Sequence, residues 1–253
     1  MRAPKLKRTE KITGGEIITR ILAAEGVDTV FGIIDGTYFG LYKSFEPYGI
    51  TLITPRHETV AANMAGAYAR ATGKLGVCLA SNGPGVANIL PGVAVENAEG
   101  NRVLLITSAR REGIAYPDRG GTFQCFPQTD VIRPMAKWSE TVTSVDRVAE
   151  LTRRALQACW SGRPGVVHLD VPESIFNSAY ELDERWFWPA GSYRNTTAQH
   201  PAPQQVDGAL ALLQAAKRPL IHVGSGVLHA DAGNVVMRLA ERLGAAITTS
   251  WGA

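Results

Sequence analysis

Apolar residues recur along this chain with two different periods, and the alternation between them predicts its elements. Ile17, Ile18, Ile21 and Leu22 repeat at helical spacing behind Thr13-Gly14-Gly15-Glu16. That tetrapeptide has the form of a capping box, in which the Thr hydroxyl and the Glu carboxylate satisfy backbone donors at a helix start. Gly26 suits the position just past the helix end. DTVFGII (28–34) then reads as a strand, 38–46 as a helix, and ITLIT (50–54) as a second strand. Residues 57–72 form an Ala-rich helix stopped by Gly73, and LGVCLA (75–80) is a buried strand. Gly83-Pro84-Gly85 turns into another helix, and RVLLITS (102–108) is a fourth strand. Ser144 is placed to cap a helix through 161, with Val148, Leu151, Ala155, Leu156 and Cys159 on one face. PGVVHLDVP (164–172) closes the series as a strand. Short apolar strands alternating with helices indicate an α/β domain, a doubly wound parallel sheet flanked by helices.

Two stretches break the rhythm. Residues 109–126 are polar and Gly-rich without periodicity, longer than an ordinary connection, which favours a functional excursion. Residues 177–204 contain Trp186, Phe187, Trp188 and a polar run, and read as a linker lying over a surface with its aromatics docked. The strand-helix rhythm then restarts with a helix at 204–216, RPLIHVG, a helix at 232–243 and AAITTS. Two strands cannot make a self-sufficient doubly wound sheet, so this second domain is expected to be incomplete. The expected organisation is a basic tail at 1–11, a first domain at 12–180, a linker at 181–203 and an incomplete domain at 204–253.

Composition narrows the class. With 253 residues, 45% of them hydrophobic and 19% charged, the chain can bury a core, which excludes disorder. No apolar run approaches the ~18 residues of a membrane span, and no signal-peptide pattern opens the chain. A soluble, cytoplasmic protein without a membrane partner is expected. Of the net charge of +3, Arg2, Lys5, Lys7, Arg8 and Lys11 against Glu10 supply +4 and the remaining residues −1, so it is a tail effect and no nucleic-acid partner is expected. Cys78, Cys125 and Cys159 form no CxxC and read as reduced thiols.

Several signatures are excluded. His57-Glu58 is no zinc protease motif, because Ala61 stands four residues beyond His57. Neither a GxxxxGK[ST] phosphate loop nor a GxSxG elbow occurs. Gly83-Pro84-Gly85 and Gly224-Ser225-Gly226 begin like dinucleotide fingerprints, but Asn88 and His229 stand where the third glycine belongs. Three features remain. Glu58 sits at a strand-to-helix junction at the carboxyl end of a predicted strand, where α/β proteins bind ligands; alone, it is a Glu complementing a helix dipole. SNGPGVAN (81–88) permits close backbone approach to a ligand at a helix N-terminus; alone, it is a turn with Pro84 at a helix start. Gly120-Gly121-Thr122-Phe123-Gln124 brings an aromatic and an amide into the excursion; alone, it is a surface loop with an anchoring Phe.

The order of blocks says more than any one of them. GVDTVFGIIDG (26–36), RHETVAANMAGAYARATGKLGVCLASNGPGVAN (56–88), GGTFQ with RPMAKWS (120–139) and GRPGVVHLDVPESI (162–175) run in sequence, followed by KRPLIHVGSGV (217–227). In order and spacing they resemble the N-terminal half of thiamine-diphosphate-dependent enzymes of the acetolactate synthase and pyruvate oxidase superfamily, the last block resembling the opening of the middle domain.

The resemblance implies a domain that binds the aminopyrimidine ring of thiamine diphosphate. The family's glutamate falls on Glu58, whose carboxyl would hydrogen-bond a ring nitrogen and favour the imino tautomer that deprotonates the thiazolium carbon. The activated cofactor then attacks a 2-oxo acid. By the same resemblance Gly83, Pro84 and Asn88 shape the pyrimidine pocket, Gly36 lies near the thiazolium, and Gln124 with Phe123 faces the substrate. Glu58 and Gln124 are thus the expected catalytic residues.

Three departures stand out: Ile34-Asp35-Gly36 in place of Pro-Gly-Gly, Ser81-Asn82 in place of Thr-Ser, and Glu99-Gly100-Asn101-Arg102 in place of Asp-Ser and a proline. The Gly-Asp-Gly motif that holds the diphosphate through a metal occurs nowhere in these residues. Mg is therefore expected only in a further domain, with no metal site here, and flavin (FAD) binding stays undetermined, since Gly224 and Gly226 suit both a flavin contact and a plain turn. The expected protein is the N-terminal part of a carboligase or decarboxylase of 2-oxo acids, completed by a C-terminal chain within a homo- or hetero-oligomer. The alternative is a non-catalytic interaction module keeping only the dimer surface.

Overall fold

The computed structural model describes residues 10–111, 113–114, 123–194 and 200–252. Contacts divide the chain into two units, Met1–Asn195 and Thr196–Ala253.

The first unit runs β1 (Lys11–Thr13), α1 (Gly14–Ala24), β2 (Thr29–Gly32), α2 (Phe39–Tyr42), β3 (Thr51–Ile53) and α3 (Glu58–Thr72). It continues β4 (Gly76–Ala80), α4 (Pro84–Glu99), β5 (Val103–Ala109), α5 (Gln128–Ile132) and β6 (Trp138–Thr141). It ends α6 (Val145–Trp160), β7 (Val166–Pro172), α7 (Glu173–Asn177) and β8 (Ala179–Glu181). Six strands form one sheet in the order β3-β2-β4-β5-β7-β6, with every pair parallel. The expected α/β class is thus the observed one.

Side chains alternate across this sheet with period two, so one strand feeds two cores. Leu104 and Ile106 of β5 join Ile17, Ile18, Leu22 and Leu156 on the α1/α6 side. Val103 and Leu105 join Ala61, Ala65, Ile89 and Val93 on the α3/α4 side. The alanines of α3 allow a close approach: a Cβ at Gly76 would lie 2.0 Å from Ala65 O.

Several local expectations need correction. The helix expected at 38–46 is broken into a 3-10 turn (Gly36–Tyr38), the four-residue α2 and a second 3-10 turn (Glu46–Tyr48). Its middle is bonded elsewhere: Gly40 N donates to Asn177 Oδ1 at 2.8 Å, and Thr13 Oγ1 donates to Gly40 O at 2.9 Å. Only half of the capping box forms. Thr13 Oγ1 accepts from Glu16 N at 3.1 Å, while the Glu16 carboxylate takes Arg20 at 2.8 Å and Tyr48 at 3.1 Å. Ser144 occupies the α6 N-cap without a side-chain bond. Three strands were not expected. β6 is too polar to stand out, and β1 and β8 form a separate antiparallel pair in which Lys11 faces Glu181.

Residues 182–194 stay against the first unit. Leu182 N donates to Glu10 O at 2.9 Å, and Arg153 Nη1 donates to Trp186 O at 2.5 Å. Guanidinium groups lie over three rings: Arg153 over Trp188 at 4.3 Å, Arg20 over Phe187 at 5.5 Å, and Arg194 over Trp160 at 4.6 Å.

The second unit contains α8 (Pro203–Ala215), β9 (Leu220–Val223), α9 (Gly226–His229), α10 (Gly233–Leu243) and β10 (Ala246–Thr249). β9 and β10 pair in parallel, Leu220 opposite Ala246. Among the described residues no helix is long and apolar enough to cross a membrane.

Candidate functional site

The candidate site is assembled at the carboxyl ends of β2, β4 and β5 and the start of α3. After β3 the chain reaches His57, an extended N-cap (φ −154°) whose Nδ1 accepts from Thr59 N at 3.2 Å. Glu58 is therefore the first helical residue, with its side chain half-buried. Asn88 of α4 donates from Nδ2 to Glu58 Oε2 at 3.1 Å, and Thr59 Oγ1 donates to Asn88 O. These two bonds tie the starts of α3 and α4 together.

Gly83 leaves β4 with φ +72°, a conformation that L side chains rarely adopt. A Cβ there would lie 2.6 Å from Gln124 Cα and 2.8 Å from Phe123 O. Glycine is thus needed both for the turn and for the approach of the Gln124 backbone. Pro84 follows at the first helical position. A Cβ at Gly85 would meet Ser81 Oγ at 2.6 Å and Glu58 Oε1 at 3.5 Å, so glycine leaves bare the ground beside the carboxylate.

A hydrogen-bond chain joins the three strand ends. Asn82 N donates to Ser108 Oγ at 3.0 Å, Ser108 Oγ lies 2.7 Å from Thr37 Oγ1, and Thr37 Oγ1 donates to Asp35 Oδ1 at 2.5 Å. The carboxylate only accepts, so the Thr37 proton points to Asp35 and the Ser108 proton to Thr37. Asp35 also caps the Gly36–Tyr38 turn by accepting from Thr37 N at 2.8 Å. Its carboxylate is thus drawn back onto the turn it precedes. Gly36 is exposed, with nothing within 4 Å of where a Cβ would stand. Beneath it Tyr38 is buried, and burial together with Asp35 and Glu58 holds its phenol well above the ordinary range.

Asn82 is 1% exposed, and neither Oδ1 nor Nδ2 has a hydrogen-bond partner. Leaving such a group unpaired costs about 1–3 kcal/mol.

The structure thus brings Glu58 to Asn88, brings Gly83 to Gln124 and Phe123, and links the Gly36 turn to the Gly83 turn through Ser108. Phe123 is 80% exposed, and it is its carbonyl that lies at Gly83. Gly120, Gly121 and Thr122 lie outside the described residues. Sequence reasoning missed Thr37, Ser108 and the polar group behind them. Their signal was the hydroxyl pair Thr107-Ser108 closing an otherwise apolar strand.

That polar group centres on Asp170 of β7, 3% exposed. Its Oδ1 accepts from Thr107 Oγ1 at 2.6 Å and from Gln128 Nε2 at 2.5 Å. Burial pushes its carboxyl up to about 6, against the lowering effect of these hydrogen bonds. His168 is pushed down to about 3 by burial and is neutral. Thr107 spends its proton on Asp170, so His168 Nε2 donates to Thr107 Oγ1 and Nδ1 accepts from Ser139 Oγ, both at 2.7 Å. A cavity of about 410 Å³ opens beside this group, lined by Arg110, Gln124, Phe126, Gln128, Thr141 and Asp170 among others. It shares Gln124 with the candidate site but does not reach Glu58.

The pyrimidine side of thiamine diphosphate fits this donor set. A carboxylate held on one oxygen, bare glycine ground beside the other and an orphaned buried amide suit a flat ring with polar edges. Among the described residues, no three His, Cys, Asp or Glu side chains cluster to hold a metal.

Comparison with known proteins points the same way. Residues 12–131 match the family described as thiamine pyrophosphate enzyme, N-terminal TPP binding domain, and residues 206–253 match its central domain. The chain is similar to the probable acetolactate synthase large subunit of Methanococcus aeolicus, 30% identical over 94% of this chain and 40% of that protein. It is similar to the acetolactate synthase isozyme 3 large subunit of Escherichia coli, 31% identical over 95% of this chain and 42% of that protein. The probable 2-ketoarginine decarboxylase of Pseudomonas aeruginosa is 33% identical over 94% of this chain and 42% of its own length. The chain thus spans about 40% of the length of the curated relatives it matches. With both domains matched in the family's order, the chain belongs to the thiamine pyrophosphate (thiamine diphosphate) enzymes and comprises an N-terminal portion of one.

Proposed function

We propose that these residues form the pyrimidine side of an acetolactate-synthase-like carboligase or decarboxylase acting on 2-oxo acids. The observation that carries the reading is the Glu58–Asn88 pair at 3.1 Å beside the bare ground of Gly85. Asn88 fixes one oxygen of the carboxylate, and Oε1 is left on the glycine side to share a proton with a ring nitrogen. Gly83 and Pro84 shape the wall, while Gly36 and Gln124 border the substrate side. When bound, thiamine diphosphate supplies the carbanion chemistry that makes or breaks the bond next to the 2-oxo group.

The diphosphate and its Mg are held by residues outside these 253, because no Gly-Asp-Gly occurs among them. The site is then shared with a complementary C-terminal domain in an oligomer. The relatives' names support the reaction class, a synthase of acetolactate and a decarboxylase of a 2-oxo acid.

The test is co-expression with a polypeptide that carries the Gly-Asp-Gly metal site. The pair is expected to turn over pyruvate or another 2-oxo acid, and Glu58→Gln to lower turnover by about a hundredfold or more. A pair inert toward 2-oxo acids, or unchanged turnover in Glu58→Gln, would end this reading. Calorimetry on the 253-residue chain alone is expected to show no micromolar affinity for thiamine diphosphate. Micromolar binding there would overturn the shared site.

A further inference from the structure

We propose that Gln128, anchored on Asp170, is a positioning residue that keeps the Gln124 backbone against the Gly83 turn. Packing holds this segment at Phe126, which lies against the α3/α4 core, while Phe123 is 80% exposed and residues 124–130 line the cavity of about 410 Å³. Gln128 is 5% exposed, and its Nε2 spends both hydrogens: one on Ser108 O at 2.7 Å, one on Asp170 Oδ1 at 2.5 Å. A single amide thereby ties the start of α5 to the ends of β5 and β7. Ser108 is the same residue whose Oγ receives Asn82 N, so both walls of the Gly83–Gln124 contact hang from one strand end. Displacing Gln128 frees the segment on one side while the turn stays fixed on the other. That Gln124 faces substrate rests on the function proposed above; the clamp itself rests on these distances.

Ionisation of Asp170 gives the clamp a signature that simple packing lacks. The groups around it are Thr107 and Arg110 from β5 and its end, His168 on its own strand through Thr107, Thr141 from β6, and Gln128, Thr129 and Asp130 from α5. Hydrogen bonds from Gln128 and Thr129 favour the ionised Asp170 carboxylate, while burial, which pushes it up to about 6, favours the protonated form, so the hold on the segment changes as Asp170 titrates.

Amide hydrogen exchange on the 253-residue chain, read in peptides covering 123–132 and corrected for intrinsic rates, tests this. Gln128→Leu is expected to lose about tenfold protection there while β4 and β5 are unchanged. Protection in wild type is expected to change between pH 5 and pH 7.5 as Asp170 titrates, and Asp170→Asn to show no such step. Should Gln128→Leu fail to fold, Gln128→Asn, one methylene shorter, makes the same test. Wild-type protection in the Gln128 variant, or a pH step retained in Asp170→Asn, would overturn the clamp. Glu58→Gln is expected to exchange like wild type. A co-expressed pair inert on 2-oxo acids whose exchange still follows this pattern would remove the catalytic reading and leave the clamp standing.

Discussion

At Gly83 two demands coincide: a φ of +72° and a Phe123 carbonyl 2.8 Å from where a Cβ would stand. At ψ −115° this backbone lies outside the left-handed helical region as well and costs a non-glycine residue about 1–3 kcal/mol, to which the clash adds. Gly83→Ala should therefore lose about 2–4 kcal/mol in urea unfolding. A loss under about 1 kcal/mol would mean that the Gln124 backbone does not lie on the turn. Asn82 next to it behaves in the opposite sense. Its buried carboxamide has no partner, so Asn82→Ala trades a small cavity for relief of an unpaired polar group. We expect this chain to be as stable as wild type, or more stable by about 1 kcal/mol. A marked loss would show that the amide is satisfied. Glu58, Gly83 and Asn88 were legible in the sequence because each sits in a motif of fixed spacing. Asn82 was visible only as a departure, since burial without a partner is a property of the fold.

Helices and strands with strong periodicity were read nearly to the residue. α3 was expected at 57–72 and lies at Glu58–Thr72; its stop, Gly73, has φ +71°. α1 and α6 followed from apolar stripes that turned out to face one core. The failures share a cause. The 38–46 helix, β1, β6 and β8 are short, and their backbone groups are claimed by distant partners, which no local pattern encodes. The strap after β8, expected as a linker lying over a surface with its aromatics docked, is held by guanidinium–aromatic contacts rather than by periodicity. Arg153 both donates to Trp186 O at 2.5 Å and lies 4.3 Å over Trp188. Arg153→Ala should release this strap, costing about 1–2 kcal/mol and shifting tryptophan emission to the red. Unchanged emission would mean that the rings are held by something else.

For the whole molecule, buried carboxyls and the buried His168 set the response to pH. Asp170 is raised from 3.8 to about 6 by burial. The folded state therefore binds this proton more tightly than the unfolded chain does, and the associated stability is full below about pH 4 and lost as pH rises through 6. Glu96, also raised by burial, acts in the same direction. His168, lowered from 6.5 to about 3 by burial, acts in the opposite sense over the same window, so the two are separated by substitution. Relative to wild type, Asp170→Asn should gain stability between pH 4 and pH 6.5 by the equivalent of up to about 3 kcal/mol in urea unfolding. The same pH dependence in wild type and Asp170→Asn would contradict the burial of Asp170.

The central claim, that Glu58 activates bound thiamine diphosphate, is tested most directly by the rate of deuterium exchange at the thiazolium carbon. The measurement is made by rapid-quench NMR on the chain paired with a polypeptide carrying the Gly-Asp-Gly metal site. Glu58→Gln should slow that exchange by about 10²–10⁴-fold while the cofactor stays bound. An exchange rate equal to wild type, with cofactor bound, would contradict it.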